Sequence, residues 1–461
     1  MKKFLSVLLC GILVFFAGCT GSGEPSVGSL SEPGGEKVIH LVTDLGKNTE
    51  VHGIAPDTYS AQYALEQSLA ELGELPEGYR VEVEVLPTGE AEYQSRLTRL
   101  RTEIMSGQGP DIYVLSVDET FWWDAQERLF PDPNKAMMDG YFLKLDDYVK
   151  NAEFMELEAM NPVVMDAGCT EDGRFILPMR YNFCFAWINE PFTDPGGNWN
   201  DTVFGDDDTL SLAYALAAEQ DFHLVFRAPV DYETKTLTFS EEELYRSVSK
   251  VLERDREYAP RLDDEYGQVF GGGPLSMPPL DGPGWELDWR SDGREFKLSE
   301  DAGFLPLRNV EGGMSAYATS YIAINRNTPY PDEAFHIADL MMSRKFQKGE
   351  IFWPSDSMKM FSNSISVFSW ATGIPVYDDM LEGEQKFNYE YDIAEEAYPA
   401  YREIRDQITD ARIKSSVDQV LDELCAKALY DRYYEELKTE EDLKKRVSEA
   451  YIKMVLMVGE L

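Results

Sequence analysis

The sequence has few basic residues for its length. Of 461 residues, 42 are lysine or arginine and 84 are aspartate or glutamate, which gives a formal net charge of −42 at pH 7. Such a charge repels phosphate groups, so it argues against nucleic-acid binding and against a general attraction to anionic membrane surfaces. The ordinary interpretation is a solvated acidic surface. Because acidic residues are so numerous, no pair of carboxylates stands out as a catalytic acid and base.

Cysteine and histidine are also scarce, with five and four residues. No spacing among them suggests a structural zinc site, and the histidines are scattered singly. Cys10 lies in an apolar N-terminal run and Cys19 ends it, which leaves Cys169, Cys184 and Cys425. A bridge between Cys169 and Cys184 and unpaired buried thiols are both compatible with this number. The sequence indicates no metal and no cofactor.

Common catalytic motifs are absent. Neither G-x-S-x-G nor H-E-x-x-H occurs, and "GQG" (107–109) precedes a predicted strand rather than a helix, unlike a dinucleotide-binding fingerprint. The acidic stretch "GDDDT" (205–209) hints at a calcium loop, but the twelfth loop position counted from Asp206 is Ala217 rather than glutamate. We therefore expect it to cap a helix, and we expect a binding protein rather than an enzyme.

Long apolar runs occur only at the N-terminus. "MKK" precedes the 15-residue run "FLSVLLCGILVFFAG", which is short for a membrane span and ends in "FAGC" (Phe16–Cys19). This segment resembles the lipobox of bacterial lipoproteins, although a phenylalanine stands where leucine is usual. An ordinary signal peptide or an N-terminal membrane anchor are the alternatives. The resemblance implies a signal peptide at 1–18, a lipidated Cys19 and membrane anchoring, and the Gly/Ser/Pro/Glu-rich composition predicts a flexible tether at 19–37.

The next segments predict an alternating order of strands and helices. Tyr93, Leu97, Leu100 and Ile104 form the apolar stripe of one helix, and Gly107 is placed to end it in a left-handed conformation before Pro110. The order β-α-β-α-β is typical of a parallel sheet with right-handed crossovers. The predicted strands are 38–43, 79–86 and 111–115, and a further helix is predicted over 57–72.

Two loops follow the carboxyl ends of these strands, where α/β proteins usually bind ligands. The loop at 44–53 begins with Asp44, for which a loop cap and a ligand contact are equally good interpretations. The loop at 116–124 contains Trp122 and Trp123, one of which can stack on a ligand while the other packs.

Residues 93–116, "YQSRLTRLRTEIMSGQGPDIYVLS", resemble the helix, Gly-x-Gly-Pro-Asp and strand signature of family 1 extracellular solute-binding proteins. These proteins are receptors of ABC importers and include the maltose-binding type. Further segments that resemble the family's hinge crossings and final helices follow in the same order. They are 173–192, 302–307 with 312–343, 372–379 and 433–455.

The resemblance implies an α/β fold of the two-lobed periplasmic-binding-protein type (type II), with three hinge crossings and a ligand cleft between the lobes. When the family pattern is transferred to this sequence, the N-terminal lobe spans 38–178 and 320–373, and the C-terminal lobe spans 179–319 and 374–461. Ligand would close the lobes by favouring the closed form. One departure is the stretch 405–425, which has no aromatic residue where maltose-type proteins often stack a sugar, so a long linear maltodextrin is not expected.

Candidate ligand-binding residues are those that can face such a cleft. A sugar offers apolar ring faces to aromatic side chains and hydroxyls to polar ones. At the first crossing, we expect Tyr181 or Asn182, or both, to be exposed in the cleft. The neighbouring Arg180 could bind a carboxylate or a hydroxyl of the ligand, or neutralise nearby acidic residues. The predicted set is Asp44, Asp118, Glu119, Trp122, Trp123, Tyr181, Asn182, Trp285, Gly313 and Tyr317.

The expected function is therefore that of a lipid-anchored, monomeric substrate-binding protein. It would capture a small carbohydrate outside the cytoplasm and deliver it to ABC permease subunits. The alternatives are a binding protein for a peptide, polyamine or other solute, a surface glycoside hydrolase, and an adhesion or scaffold lipoprotein.

Overall fold

The computed structural model divides the chain into two compact units, Met1–Lys37 and Val38–Leu461. It describes residues 36–44, 62, 65–66, 68–70, 72–87, 90–117, 127–188, 194, 196–202, 218, 221–265, 296–297, 303–347, 374–377, 391–392, 398–433, 437 and 439–459.

The strands of the described residues are numbered in chain order. They are β1 (Lys37–Thr43), β2 (Tyr79–Val85), β3 (Ile112–Ser116), β4 (Cys169–Thr170), β5 (Gly173–Arg174), β6 (Ile176–Phe183), β7 (Phe185–Ile188), β8 (Val230–Asp231), β9 (Thr236–Leu237), β10 (Phe296–Lys297), β11 (Gly303–Pro306), β12 (Met314–Ile324), β13 (Ile374–Pro375), β14 (Tyr391–Asp392) and β15 (Ile408–Ile413).

The helices that can be bounded are numbered in the same way. They are α1 (Glu90–Met105), α2 (Pro133–Met138), α3 (Asp146–Val149), α4 (Pro162–Asp166), α5 (Glu241–Glu265), α6 (Pro331–Met342), α7 (Arg344–Gln347), α8 (Tyr398–Arg405), α9 (Ser416–Tyr433) and α10 (Glu440–Gly459), with short 3-10 turns at Leu157–Ala159 and Phe222–Val225.

The main sheet has the strand order β13-β6-β12-β3-β1-β2, with β15 also paired to β12. Strands β1 and β3 are parallel, and β12 runs antiparallel to both β3 and β6. Consequently β1, β3 and β6 point the same way, and their carboxyl ends lie along one edge of the sheet.

The segments predicted from periodicity form as expected. The residues Tyr93, Leu97, Leu100 and Ile104 are the buried residues of α1, because their spacing places them on one face of the helix. Gly107 ends this helix with φ +77°, and its N–H donates to the Ile104 carbonyl at 2.9 Å. The described residues of the predicted helix at 57–72 are helical; the remainder of that prediction lies outside the described part of the chain.

The central sheet has a core on each face, because successive side chains of a strand point to opposite sides. In β3, Ile112 and Val114 join the core that contains α6, whereas Tyr113 and Leu115 join the core that contains α1. This arrangement explains why β3 is apolar at nearly every position, as expected for a strand covered on both faces. A third core lies among α5, α9 and α10.

Strand β12 connects all three cores. Its final residues pair with β3 and β6, whereas Met314–Ala318 pair with β15. Ile322 packs in the core with α6, Tyr321 in the core with α1, and Tyr317 in the third core. One strand therefore contributes side chains to all three cores.

Among the described residues, Cys169, Cys184 and Cys425 form no disulfide, so the bridge between Cys169 and Cys184 does not occur. Burial raises the pKa of the Cys184 thiol well above its ordinary value. In the part of the chain that the structure describes, no helix combines the length and apolar character needed to cross a membrane.

Candidate functional site

Polar residues lie in a row across the sheet, at the level where β1 and β3 end, and this row crosses β6 at Arg180, before the strand ends at Phe183. The row is defined by strand register, because Ser320 of β12 pairs with Ser116 of β3 on one side and with Arg180 of β6 on the other. Asp44 follows β1 directly, and its Oδ1 accepts a hydrogen bond from the Ser116 N–H at 2.7 Å. We call Asp44, Ser116, Ser320 and Arg180 the edge row.

Asp44 has a structural task within this row. Its carboxylate satisfies the last backbone N–H of β3, which ties the ends of β1 and β3 together. Because Asp44 is half-buried, it also retains surface that a ligand can reach. The loop-cap interpretation is therefore supported by a contact, and its ligand role stays a prediction.

Arg180 and Ser320 are the most buried members of the row. Their residues are 8% and 0% exposed. Among the described residues, neither the Arg180 Nε nor the Ser320 Oγ has a hydrogen-bond partner. Burial lowers the pKa of Arg180 to about 10, so its guanidinium remains charged at neutral pH. The row thus holds a positive charge in the interior of the sheet.

Two predicted ligand residues on β6 are covered by protein. Tyr181 is 1% exposed and stacks on Phe183 with ring centroids 6.2 Å apart. Asn182 is 4% exposed. In this structure neither residue has the cleft exposure that their place at the first crossing suggested, because β6 is buried along its whole length. Tyr181 instead belongs to the core that contains α6.

Gly313 and Tyr317 occupy the β12–β15 side of the molecule. A Cβ at Gly313 would collide with the Thr409 hydroxyl of the neighbouring strand β15, so the glycine permits this close approach. Tyr317 is 2% exposed and packs edge-on against His223, with ring centroids 4.7 Å apart. Both positions are explained by packing, and their predicted ligand roles remain predictions.

A buried charge cluster lies behind Tyr317. The His223 Nδ1 and the Lys414 Nζ each lie 2.9 Å from Asp422 Oδ2, and the Lys414 Nζ is 5.5 Å from the centre of the Tyr317 ring. Burial alone would raise the pKa of Asp422, but the charges of His223 and Lys414 outweigh it and hold that pKa well below its usual range. The cluster joins β15, α9 and the Phe222–Val225 turn.

The other predicted site residues fall outside the described part of the chain. They are Asp118, Glu119, Trp122, Trp123, Trp285 and the lipidation residue Cys19. The stretch 205–209, predicted to cap a helix, also lies outside it.

Sequence reasoning did not select Ser116 or Ser320, and it weighed Arg180 without selecting it. A signal for Arg180 was present, because it is the one charged residue in the apolar strand sequence "ILPMRYNF". Ser116 could have been found as the last residue of a buried strand. Ser320 needs strand register, which the sequence does not supply. Among the described residues, no group of three or more acidic, histidine or cysteine side chains forms a metal site.

Comparison with known proteins gives a likeness in structure only. No family model and no curated protein sequence matches the chain. A family 1 extracellular solute-binding protein from Alicyclobacillus acidocaldarius is similar with a TM-score of 0.50 at 12% identity, covering 93% of this chain and 100% of its own.

Two further solved structures are similar at lower scores. An ABC substrate-binding protein from Listeria monocytogenes in complex with cycloalternan has a TM-score of 0.48 at 13% identity, over 91% of this chain and 99% of its own. A periplasmic oligogalacturonide-binding protein from Yersinia enterocolitica has a TM-score of 0.46 at 13% identity, over 92% of this chain and 99% of its own.

The agreement with the Alicyclobacillus protein extends over nearly the whole of both chains. The chain therefore has the two-lobed α/β fold of the family 1 extracellular solute-binding proteins.

Proposed function

We propose that this chain is a lipid-anchored substrate-binding protein of an ABC importer, which captures a small carbohydrate by closing two lobes around it. The observation that carries the proposal is the position of the edge row. Asp44 and Ser116 lie at the carboxyl ends of the parallel strands β1 and β3, the usual ligand edge of an α/β sheet, and Ser320 and Arg180 lie beside them on the paired strands β12 and β6.

The position of Ser320 couples binding to movement. A ligand that contacts the edge row from one lobe and the opposite lobe at the same time binds the closed form better than the open one, which is the condition for closure. Strand β12 supplies the hinge, since one of its ends pairs with β3 and β6 and the other with β15.

The carbohydrate class is proposed from side-chain chemistry. Asp44 and the serines of the edge row can bind sugar hydroxyls, and Trp122 and Trp123 follow the strand whose last residue is Ser116. Asp118, Glu119 and Trp285 are proposed as further contacts from their loop positions.

Thermal melting of the purified chain against a panel of mono- and oligosaccharides tests the binding role. A ligand at 100 times its dissociation constant should add about 2.7 kcal/mol to the free energy of unfolding. Chromatography of the same mixtures should show every sugar intact after prolonged incubation. Release of shortened products would contradict the proposal and favour a glycoside hydrolase.

Replacement of Asp44 tests the site. Asp44→Asn keeps an oxygen that can accept from the Ser116 N–H but removes the charge, so ligand affinity should fall at least tenfold while the unliganded melting temperature changes little. Asp147→Asn is the matched control, because the side chain of Asp147 is 93% exposed on α3. Equal affinities for the two variants would exclude Asp44 from the site.

Membrane attachment is tested separately. In a bacterial host that processes lipoproteins, the chain should partition into the detergent phase and gain the mass of a diacylglyceryl group at Cys19. Cys19→Ser should release it into the aqueous phase with unchanged ligand binding. A wild-type chain that stays in the aqueous phase would contradict the anchor without affecting the binding role.

A further inference from the structure

We infer that Arg180, with Ser320 beside it, binds an anionic group of the ligand, so that the captured saccharide carries a carboxylate. This inference rests on the proposed function and narrows its substrate class from carbohydrates in general to acidic ones. It depends on two buried polar side chains at paired positions of neighbouring strands.

Both side chains are buried with hydrogen-bonding capacity unused within the described residues. The Nε of Arg180 and the Oγ of Ser320 each lack a partner there, although the residues are only 8% and 0% exposed. Buried polar atoms in proteins are nearly always hydrogen-bonded, and leaving one without a bond costs about 1–3 kcal/mol. Two such atoms on adjacent strands mark a place where a molecule other than the chain supplies the acceptor.

The positive charge of Arg180 restricts the chemical class of the molecule that can bind there. Buried cations are normally paired, because an isolated charge is expensive to remove from water. Within the described part of the chain, Arg180 forms no ion pair, and burial is the cause of its lowered pKa. A neutral ligand would satisfy the hydrogen bonds of Arg180 but leave its charge uncompensated, whereas an anion would satisfy both.

The geometry favours a carboxylate. The guanidinium group is a planar fork that matches the two oxygens of a carboxylate, and a neighbouring serine hydroxyl can donate to one of them. Asp44 lies three strand spacings of about 4.8 Å from Arg180, so about 14 Å separates them and they cannot pair with each other. A ligand lying along the edge row would meet an acceptor at one end and a cation at the other.

The acidic surface of the protein does not oppose this assignment strongly. The net charge of −42 repels anions at long range. At physiological ionic strength, however, exposed charges are screened over about 8 Å, whereas a buried guanidinium is screened much less. The local cation of Arg180 therefore decides which groups are accepted beside Ser320.

The experiment compares acidic saccharides with their neutral counterparts. Binding of galacturonic acid, digalacturonic acid and glucuronic acid to the full chain in detergent is measured by calorimetry. Galactose, digalactose and glucose serve as the carboxyl-free partners. The wild-type chain should bind at least one acidic sugar at least tenfold more tightly than its neutral partner, and the preference should weaken as salt is raised.

Variants test whether the preference for acidic over neutral sugars depends on Arg180. Arg180→Gln should abolish it, Arg180→Lys should retain part of it because the charge remains without the fork, and Ser320→Ala should weaken it. Arg99→Gln is the matched control, since Arg99 is 77% exposed on α1 and should leave all affinities unchanged. Melting of each unliganded variant reports whether it is folded, and Arg180→Lys keeps the test valid if Arg180→Gln does not fold.

The outcomes separate this inference from the proposed function. Tight binding of neutral sugars with no acidic preference, or a preference that survives Arg180→Gln, would overturn the inference and leave the proposed function intact. Binding of neither kind of sugar would overturn the inference and the carbohydrate assignment together.

Discussion

At the residue scale, Asp339 shows how one buried carboxylate can fix a whole segment. It is 2% exposed on α6 and accepts hydrogen bonds from the backbone N–H groups of Glu153, Phe154 and Met155, at 2.7, 3.1 and 2.7 Å. Asp339→Ala would leave these donors without their acceptor. Since hydrogen bonds to charged groups contribute about 1.5–3 kcal/mol each, we expect a loss of at least about 3 kcal/mol in the free energy of unfolding by urea.

Asp339→Asn keeps one carbonyl oxygen and should therefore lose less stability than Asp339→Ala. Asp147→Ala, on an exposed side chain, should change the free energy by no more than about 0.5 kcal/mol. If Asp339→Ala were as stable as Asp147→Ala, the segment at 153–155 would be held by other contacts.

Asp422 gives a prediction about pH. The charges of His223 and Lys414 hold its native pKa below the value of about 3.9 expected in the unfolded chain. A carboxyl group with a depressed native pKa stabilises the fold above its unfolded pKa and loses this contribution as the pH falls through the native value. Removing the carboxylate also takes away the negative charge that the buried Lys414 Nζ contacts at 2.9 Å, so Asp422→Asn should cost about 3–5 kcal/mol at pH 7.

The stability difference between the wild-type chain and Asp422→Asn should therefore be large at pH 6 and shrink steadily from pH 4 towards pH 2. Urea unfolding at a series of pH values measures it. A difference that stays constant over this range would show that Asp422 does not lose a stabilising charge there. Asp147→Asn, at the exposed carboxylate used above, is the comparison.

Side-chain environment at this scale was only partly predictable from the sequence. The apolar stripe of α1 was predicted residue by residue, because a helix repeats its burial pattern every few residues. Tyr181 and Asn182 lie on the predicted strand, and their place at a lobe crossing remains a prediction; a strand buried on both faces does not reveal which side chains reach a cleft. The buried state of Ser320 depends on the strands beside it, which lie far away in the sequence.

At the element scale, the sequence predicted those strands and helices that have a clear apolar periodicity and clear end signals. Strands β1, β2 and β3 and helix α1 have clear periodicity and end signals, and they form close to the predicted positions. Strand β15 was not predicted. Its sequence "ITDARI" has mixed polarity, and its place in the sheet comes from pairing with β12.

Gly168 gives a prediction at this scale, because it allows β6 to pack beside the end of α4. A Cβ at this position would collide with the carbonyl of Ile176, the first residue of β6, and the Gly168 carbonyl accepts from the N–H groups of Phe175 and Ile176. Backbone cannot move aside as a flexible side chain can. We therefore expect Gly168→Ala to destabilise the protein by about 1–3 kcal/mol or more in urea unfolding.

Gly168→Ala should also weaken binding of any sugar identified by thermal melting, because β6 carries Arg180. Gly459→Ala is the control, since a Cβ there meets nothing within 4 Å. It should leave both stability and binding nearly unchanged. An unchanged free energy in Gly168→Ala would mean that the start of β6 shifts at little cost.

At the scale of the whole molecule, the fold was predicted by the order of several weak segments rather than by any single one. The same order does not fix which ligand is bound, because specificity depends on a few side chains at one edge of the sheet. The lobe boundaries remain a prediction. Strand β12 contributes side chains to all three cores, so under the proposed function it would keep the two predicted lobes connected as they close.

Closure on a ligand can be measured between exposed positions of the two predicted lobes. Met105 ends α1 and is 77% exposed, and Leu456 lies on α10 and is 62% exposed. With spin labels on cysteines at both positions, a saturating sugar identified by thermal melting should shift and narrow the distance distribution, because ligand selects the closed population. Met105 and Met138, which is 51% exposed, both lie in the predicted N-terminal lobe, so labels at this pair should report no change. If the pair across the lobes also stayed unchanged while calorimetry showed binding, capture would occur without hinge motion, and β12 would be a rigid connection rather than a hinge.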